Sequence, residues 1–177
     1  MAVNFYGTVL NNIIYNGVSL GKVIFNGVTV WTKELFIFKQ NDKSLSNGCT
    51  VKRFQYSGNS NYEFNANTDG TFNVYANGSG GSYCDTRITT FDISDFNKLE
   101  IVAKANTTDG RTLINLYDST GSTVLAEAIK DEQVTTSFKT FTIDISKYTG
   151  KLILHINATI WSSNAWSVFY IKSIRVY

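Results

Sequence analysis

From residue 35 onward the chain shows no apolar period of helical type longer than about two turns. Short runs of alternating side chains recur instead, and they are separated by turn-forming clusters. Candidate strands are 35–39, 49–56, 71–76, 86–91, 98–106, 111–118, 123–129, 138–145, 150–160 and 167–177. The breaks read SGNSN at 57–61, NTDG at 67–70, NGSGGS at 77–82, TTDG at 107–110 and STG at 119–121. Such spacing points to an all-β, antiparallel β-sandwich or barrel. The composition agrees: 14% of residues are aromatic and none is proline. Aromatic and β-branched residues suit a pleated, half-buried surface, while Asn, Asp and Gly supply the φ > 0 positions of tight turns.

Alternation assigns faces within these strands. Leu99, Ile101, Ala103 and Ala105 form one apolar row, Phe141, Ile143 and Ile145 another. In 151–161, Leu152, Leu154, Ile156, Ala158 and Ile160 are expected in the core. The opposite face of that strand carries Ile153, His155, Asn157, Thr159 and Trp161. Successive strand residues point to opposite sides, so each row is either wholly in or wholly out.

The first thirty residues repeat with a period of ten: IYNGVSL at 14–20 and IFNGVTV at 24–30. Asn-Gly between apolar runs is the strongest local hairpin signal, because a type I′ turn needs φ > 0 twice. A three-stranded meander is predicted, with Tyr15 opposite Val18 and Ile13 opposite Leu20. Past the second turn, Phe25 is placed opposite Val28, Val23 opposite Val30 and Lys22 opposite Trp31. One face then holds Ile13, Tyr15, Val18, Leu20, Ile24 and Trp31, the other Ile14, Val23, Phe25, Val28 and Val30. Both faces are apolar, and so small a meander is not stable alone. Either the rest of the chain covers it, or Ile13, Tyr15, Leu20, Phe25 and Trp31 belong to a docking or oligomer surface. A homo-oligomer such as a trimer would provide that cover.

Several function classes receive no support. A net charge of +2 without a Lys/Arg run argues against nucleic-acid and membrane partners, and no stretch approaches the ~20 apolar residues of a membrane helix. The N-terminus lacks a basic segment followed by an apolar one, so synthesis in a cytoplasm without a signal peptide is expected. In that compartment Cys49 and Cys84 are expected as free, buried thiols, and the sequons at Asn77, Asn106 and Asn157 carry little weight. His155 is the one histidine, no nucleophile elbow is present, and one His with two distant Cys makes a poor zinc set. No catalytic residue, metal or cofactor is therefore assigned.

The units YNGVSLGKVIFNGVTVW resemble the N-terminal segment of phage and prophage tail or minor structural proteins, over roughly residues 10–34. That resemblance implies attachment within a virion or tail-like particle, beside other tail proteins. The segment FTIDISKYTGKLILHINATIW, followed by WSVFYIKSIRVY, resembles the last strands of jelly-roll carbohydrate-binding modules. The likeness extends back through FDISDFNKLEIVAKA at 91–105. It implies a jelly-roll sandwich over 35–177, preceded by a docking module over 1–34, and a glycan as partner. Many such jelly rolls hold a structural calcium through an acidic residue in the last strand, whereas this chain has Lys172 and Arg175 there.

A sugar-binding face needs polar partners for hydroxyls and an aromatic ring for the apolar side of a pyranose. His155, Asn157 and Trp161 meet that need on one strand face; the alternative is an ordinary solvated face. In the WSSNAW loop, Trp161, Asn164 and Trp166 form either a stacking platform or, at Trp166, a core plug. Tyr83, with Asp85 and Arg87 beyond it, is a second candidate next to a Gly-rich loop that is otherwise a plain surface loop. The leading expectation is a non-catalytic tail protein whose jelly roll binds a surface polysaccharide. A purely structural tail component, a free-standing bacterial carbohydrate-binding protein and a glycan-cleaving enzyme are the rivals.

Overall fold

The structure, a computed structural model, describes residues 13–15, 18–20, 22–25, 28–66, 69–106, 110–130, 133–161 and 166–177, with side chains described from residue 33 onward except at 65 and 66. Four short strands come first: β1 (Ile13–Tyr15), β2 (Val18–Leu20), β3 (Lys22–Phe25) and β4 (Val28–Thr32). Eleven follow: β5 (Leu35–Lys39), β6 (Thr50–Tyr56), β7 (Asn61–Ala66), β8 (Thr71–Asn77), β9 (Tyr83–Asp92), β10 (Lys98–Ala105), β11 (Gly110–Tyr117), β12 (Val124–Ile129), β13 (Lys139–Asp144), β14 (Lys151–Ile160) and β15 (Trp166–Val176). No α-helix occurs among the described residues.

The eleven later strands form an antiparallel jelly-roll β-sandwich. One sheet runs β13-β10-β15-β8-β7, with β5 also paired to β15; the other runs β12-β11-β14-β9-β6. The strand β15 lies at the middle of the first sheet. Its first half pairs with β8 and its second half with β5, while β10 takes its other edge. Ten of these strands fall where the alternation puts them. The eleventh, β7, was not expected: Asn61 closes the SGNSN break, and NYEFNA offers only Tyr62 and Phe64 as apolar alternators.

The core lies between the sheets. Leu152, Leu154, Ile156, Ala158 and Ile160 of β14 are all buried, as their alternation requires, and so are Leu99, Ile101, Ala103 and Ala105 of β10. Beside the β10 row, in the same sheet and facing the β14 row, are Phe72, Val74 and Ala76 of β8 and Phe169 and Ile171 of β15, with Phe38 of β5 beside the stacked pair Phe64 and Phe72. Full burial of each Val, Leu, Ile or Phe among them contributes on the order of 1.5–3 kcal/mol. Cys49 and Cys84 are free and buried, and burial pushes both thiols up, which leaves them poor nucleophiles.

Two corners tie the sandwich at one end. In Asp92-Ile93-Ser94 and again in Asp144-Ile145-Ser146, the Asp Oδ1 accepts from the Ser N–H at 3.0 Å and the Ser hydroxyl at 2.6 Å. The intervening isoleucines plug the core. The Tyr148 hydroxyl donates to the Leu125 carbonyl at 2.8 Å and anchors the second corner to β12.

The first two Asn-Gly signals do give hairpins, with Tyr15 opposite Val18, Ile13 opposite Leu20 and Phe25 opposite Val28. Two details bear on the expected meander. Among the described residues β1–β2 and β3–β4 stand as two two-stranded sheets, and residue 21, which would join β2 to β3 in the meander, lies outside the described residues. Beyond Ile24 the register shifts, so Val23 lies opposite Trp31 and Lys22 opposite Thr32, not Val30 and Trp31. One extra residue on β4 is the cause, and such a bulge inverts the faces beyond it. Ile13, Tyr15, Leu20, Phe25 and Trp31 all lie in these strands, but their side chains fall outside the described residues.

Candidate functional site

The outer face of the five-stranded sheet holds a connected group of polar and aromatic side chains. Strand β14 supplies its middle, because burial of the Leu152–Ile160 row turns Ile153, His155, Asn157 and Thr159 outward. Pairing places Tyr83, Asp85 and Arg87 of β9 directly opposite Thr159, Asn157 and His155. On the other side, Tyr117, Asn115, Leu113 and Arg111 of β11 lie opposite Ile153, His155, Asn157 and Thr159. The edge strand β6 adds Lys52, opposite Arg87, and Phe54 two residues on.

Asp85 anchors the group. It is buried, it accepts a hydrogen bond from Asn157 Nδ2, and its Oδ2 lies 3.4 Å from His155 Nε2. That distance suits an ion pair when the imidazole is protonated, rather than a formed hydrogen bond. Burial pushes the Asp85 carboxyl up, but His155, Asn157 and the nearby Arg87 charge together hold it below its usual value. It is therefore a fixed anion at neutral pH. Thr159 donates to Asn157 Oδ1 at 2.8 Å, which fixes the amide so that its nitrogen faces Asp85.

Two side chains in this group have polar atoms left over. Both ring nitrogens of His155 and the Nε of Arg87 are buried without a hydrogen-bond partner. The Arg87 guanidinium lies 3.4 Å from the centre of the Phe54 ring and 5.7 Å from that of Tyr117. His155 sits between the same rings, edge-on to Phe54 at 6.5 Å and tilted to Tyr117 at 5.4 Å. At the end of the face the loop after β11 comes close. Gly121 has φ +73°, and a Cβ there would be 2.8 Å from an Arg87 terminal nitrogen. A buried donor without an acceptor costs free energy, and no described group supplies an acceptor to the Arg87 Nε.

Of the residues predicted from sequence, Tyr83, His155 and Asn157 come together on this face. Trp161 follows β14 and is 59% exposed. Trp166 does not join them: it opens β15 on the other sheet, opposite Asn77, and packs edge-on against Tyr75 at 6.5 Å. At 51% exposure it is not a core plug either. Asn164 lies outside the described residues. Sequence reasoning missed Phe54 and Tyr117. Phe54 could have been found from alternation in VKRFQY, which puts Lys52 and Phe54 on one side; Tyr117 needed the pairing of β11 with β14. Among the described residues no three His, Cys, Asp or Glu side chains are grouped to hold a metal ion.

No protein-family model matches the chain, and no curated protein does. Solved structures do. An arginine-to-alanine variant of a family 29 carbohydrate-binding module superposes with a TM-score of 0.53 at 13% identity, over 81% of this chain and 91% of that one. An aspartate-to-alanine variant complexed with mannohexaose gives 0.53 at 16% identity, over 81% and 89%. A lysine-to-alanine variant complexed with cellulohexaose gives 0.52 at 12% identity, over the same shares. At such identities the likeness is one of architecture: the chain shares the two-sheet antiparallel fold of the family 29 carbohydrate-binding modules.

Proposed function

We propose that this protein is a non-catalytic binder of polysaccharide chains and that the outer face of the five-stranded sheet is the binding surface. The observation that carries the reading is the meeting of the Arg87 guanidinium, with no hydrogen-bond partner at Nε, and the His155 imidazole, with none at either ring nitrogen, with the rings of Phe54 and Tyr117. Rings offer the apolar side of a sugar a stacking surface, and fixed donors and acceptors set its orientation. The fold is shared with modules solved with mannohexaose and cellulohexaose, which supports the same ligand class here. No activated nucleophile accompanies the group, and Asp85, held by Asn157 and His155, is placed as an anchor rather than as one of a carboxyl pair.

The finer setting is a phage or prophage tail, with residues 1–34 as the mounting module and the sandwich displayed on a particle. It is supported by the tandem Asn-Gly hairpins and by their resemblance to tail-protein segments. Weak individual sugar contacts would then be strengthened by copy number. Affinity electrophoresis through gels containing neutral and acidic polysaccharides tests the binding reading. Retardation that is lost in the Phe54→Ala/Tyr117→Ala double variant is expected; equal mobility of wild type and variant in every gel would overturn it.

A further inference from the structure

Building on that reading of the five-stranded face, we propose that the glycan it takes is acidic, with an anionic group on the sugar chain seated against Arg87 and His155. The argument is one of unmatched chemistry. On this face the carboxylate of Asp85 is already served: Asn157 donates to it and His155 stands at ion-pair distance. What is left over is nitrogen: the Arg87 Nε–H is a donor, and the imidazole donates from one ring nitrogen when neutral and from both when protonated. Arg87 Nε has no acceptor, and neither imidazole nitrogen has a hydrogen-bond partner, although His155 Nε2 stays within ion-pair reach of Asp85.

Neutral sugar hydroxyls can accept as well as donate, so a site selected for them gains from a mixture of donors and acceptors. A guanidinium without an internal hydrogen bond at Nε, beside further cations, matches a carboxylate or phosphate ester instead, through charge-assisted hydrogen bonds. The wider face agrees. Lys52 lies directly across from Arg87 and reaches 5.9 Å from the Phe54 ring. Arg111 is exposed further along β11, opposite Thr159. Against these cations stand Asp85, already bonded to Asn157, and, at the far edge, Glu127 opposite Asn115. The Arg87 guanidinium carbon also lies 3.4 Å from the centre of the Phe54 ring, a contact that restrains it before any ligand arrives. A planar, restrained guanidinium is suited to a two-oxygen anion.

The test is calorimetric titration of the full chain with four probes: mannohexaose, cellulohexaose, polygalacturonate for the carboxylate and poly(glycerol phosphate) for the phosphate. Wild type, Arg87→Gln and Phe54→Ala are compared at low and high salt. The expected result is tighter binding of one or both anionic polymers than of the neutral oligosaccharides. That binding should weaken tenfold or more in Arg87→Gln and fall steeply with salt, and the two polymers tell carboxylate from phosphate. Binding of a neutral oligosaccharide that Phe54→Ala abolishes and Arg87→Gln leaves intact would overturn the acidic assignment and keep the polysaccharide reading. So would anionic binding that is indifferent to Arg87. No binding of any probe by folded protein would overturn both. Circular dichroism of each variant confirms the fold, and Arg87→Lys, which keeps the charge and loses the planar fork, separates charge from geometry.

Discussion

On the outer face of the six-stranded sheet the charges satisfy one another; on that of the five-stranded sheet they do not. Arg175 is bonded to Glu100 through Nε at 2.8 Å and to Glu34 through a terminal nitrogen at 2.6 Å. Lys98 meets Asp144 at 3.1 Å, the Tyr75 hydroxyl donates to Glu63, and Lys104 lies over both Phe138 and Tyr170. Aromatic rings and cations are as plentiful there as around Arg87, yet the arginine there is bonded to two carboxylates, whereas Arg87 has ring contacts and no hydrogen bond at Nε. The contrast teaches that an inventory of residue types does not mark a site. What marks it is an arginine whose Nε has no acceptor, set among rings and polar side chains on one outer face.

The largest expected effect breaks the comparison most directly. Phe54→Ala should weaken polysaccharide binding by about thirtyfold or more, the loss of roughly 2 kcal/mol typical of a central aromatic anchor. Trp166→Ala, on the opposite sheet, should leave affinity unchanged, and the reverse outcome in the same titration would move the site to Tyr75 and Trp166. Next is Asn157→Ala. It leaves the buried Asp85 carboxylate one donor short and should cost roughly 1–3 kcal/mol in urea denaturation at pH 7.

That difference should shrink in acid. The folded-state pKa of Asp85 is held below its unfolded value, near 3.9 for an aspartate. Its contribution is thus fully present above the unfolded value and lost as pH falls through the folded one. Denaturation of wild type and Asn157→Ala should therefore converge below about pH 3.9; curves that stay parallel would remove the charge from the explanation. A smaller effect is expected of Arg175→Met on the paired face. Its network is about one-third exposed, so solvent screening limits the loss to about 1 kcal/mol or less. Smallest is Arg87→Gln in stability, within about 0.5 kcal/mol, because the guanidinium gives up no internal hydrogen bond at Nε. A loss as large as that of Arg175→Met would show that the two faces are built alike.

The strands that alternate strongly were readable from sequence. In β14 and β10, apolar and polar residues alternate except at Ile153 and Val102, and burial in a two-layer fold leaves them one orientation. β7 was not readable, because Tyr62 and Phe64 carry the whole signal and their burial depends on the neighbouring Phe38 and Phe72. Half of the site was legible for the same reason: His155 and Asn157 share a face by parity within one strand. Phe54 and Tyr117 come from β6 and β11, far apart in the chain, and only the sheet order brings their rings to His155. Trp166 looked equivalent to Trp161 across a short loop. But the chain changes sheets between them, and adjacency in sequence became separation across the thickness of the sandwich.

The position of β15 has a consequence for how the protein comes to be folded. Its neighbours β5, β8 and β10 all precede it in the chain, and β15 binds all three along its length. While the polypeptide is being synthesised, those strands emerge with open edges and nothing to join them. Pairings so distant in sequence are slow to form, and unpaired edges invite association with other chains. Ribosome-bound chains stalled before residue 166 should accordingly stay sensitive to protease. Protection should arrive in one step once the last strand clears the exit tunnel.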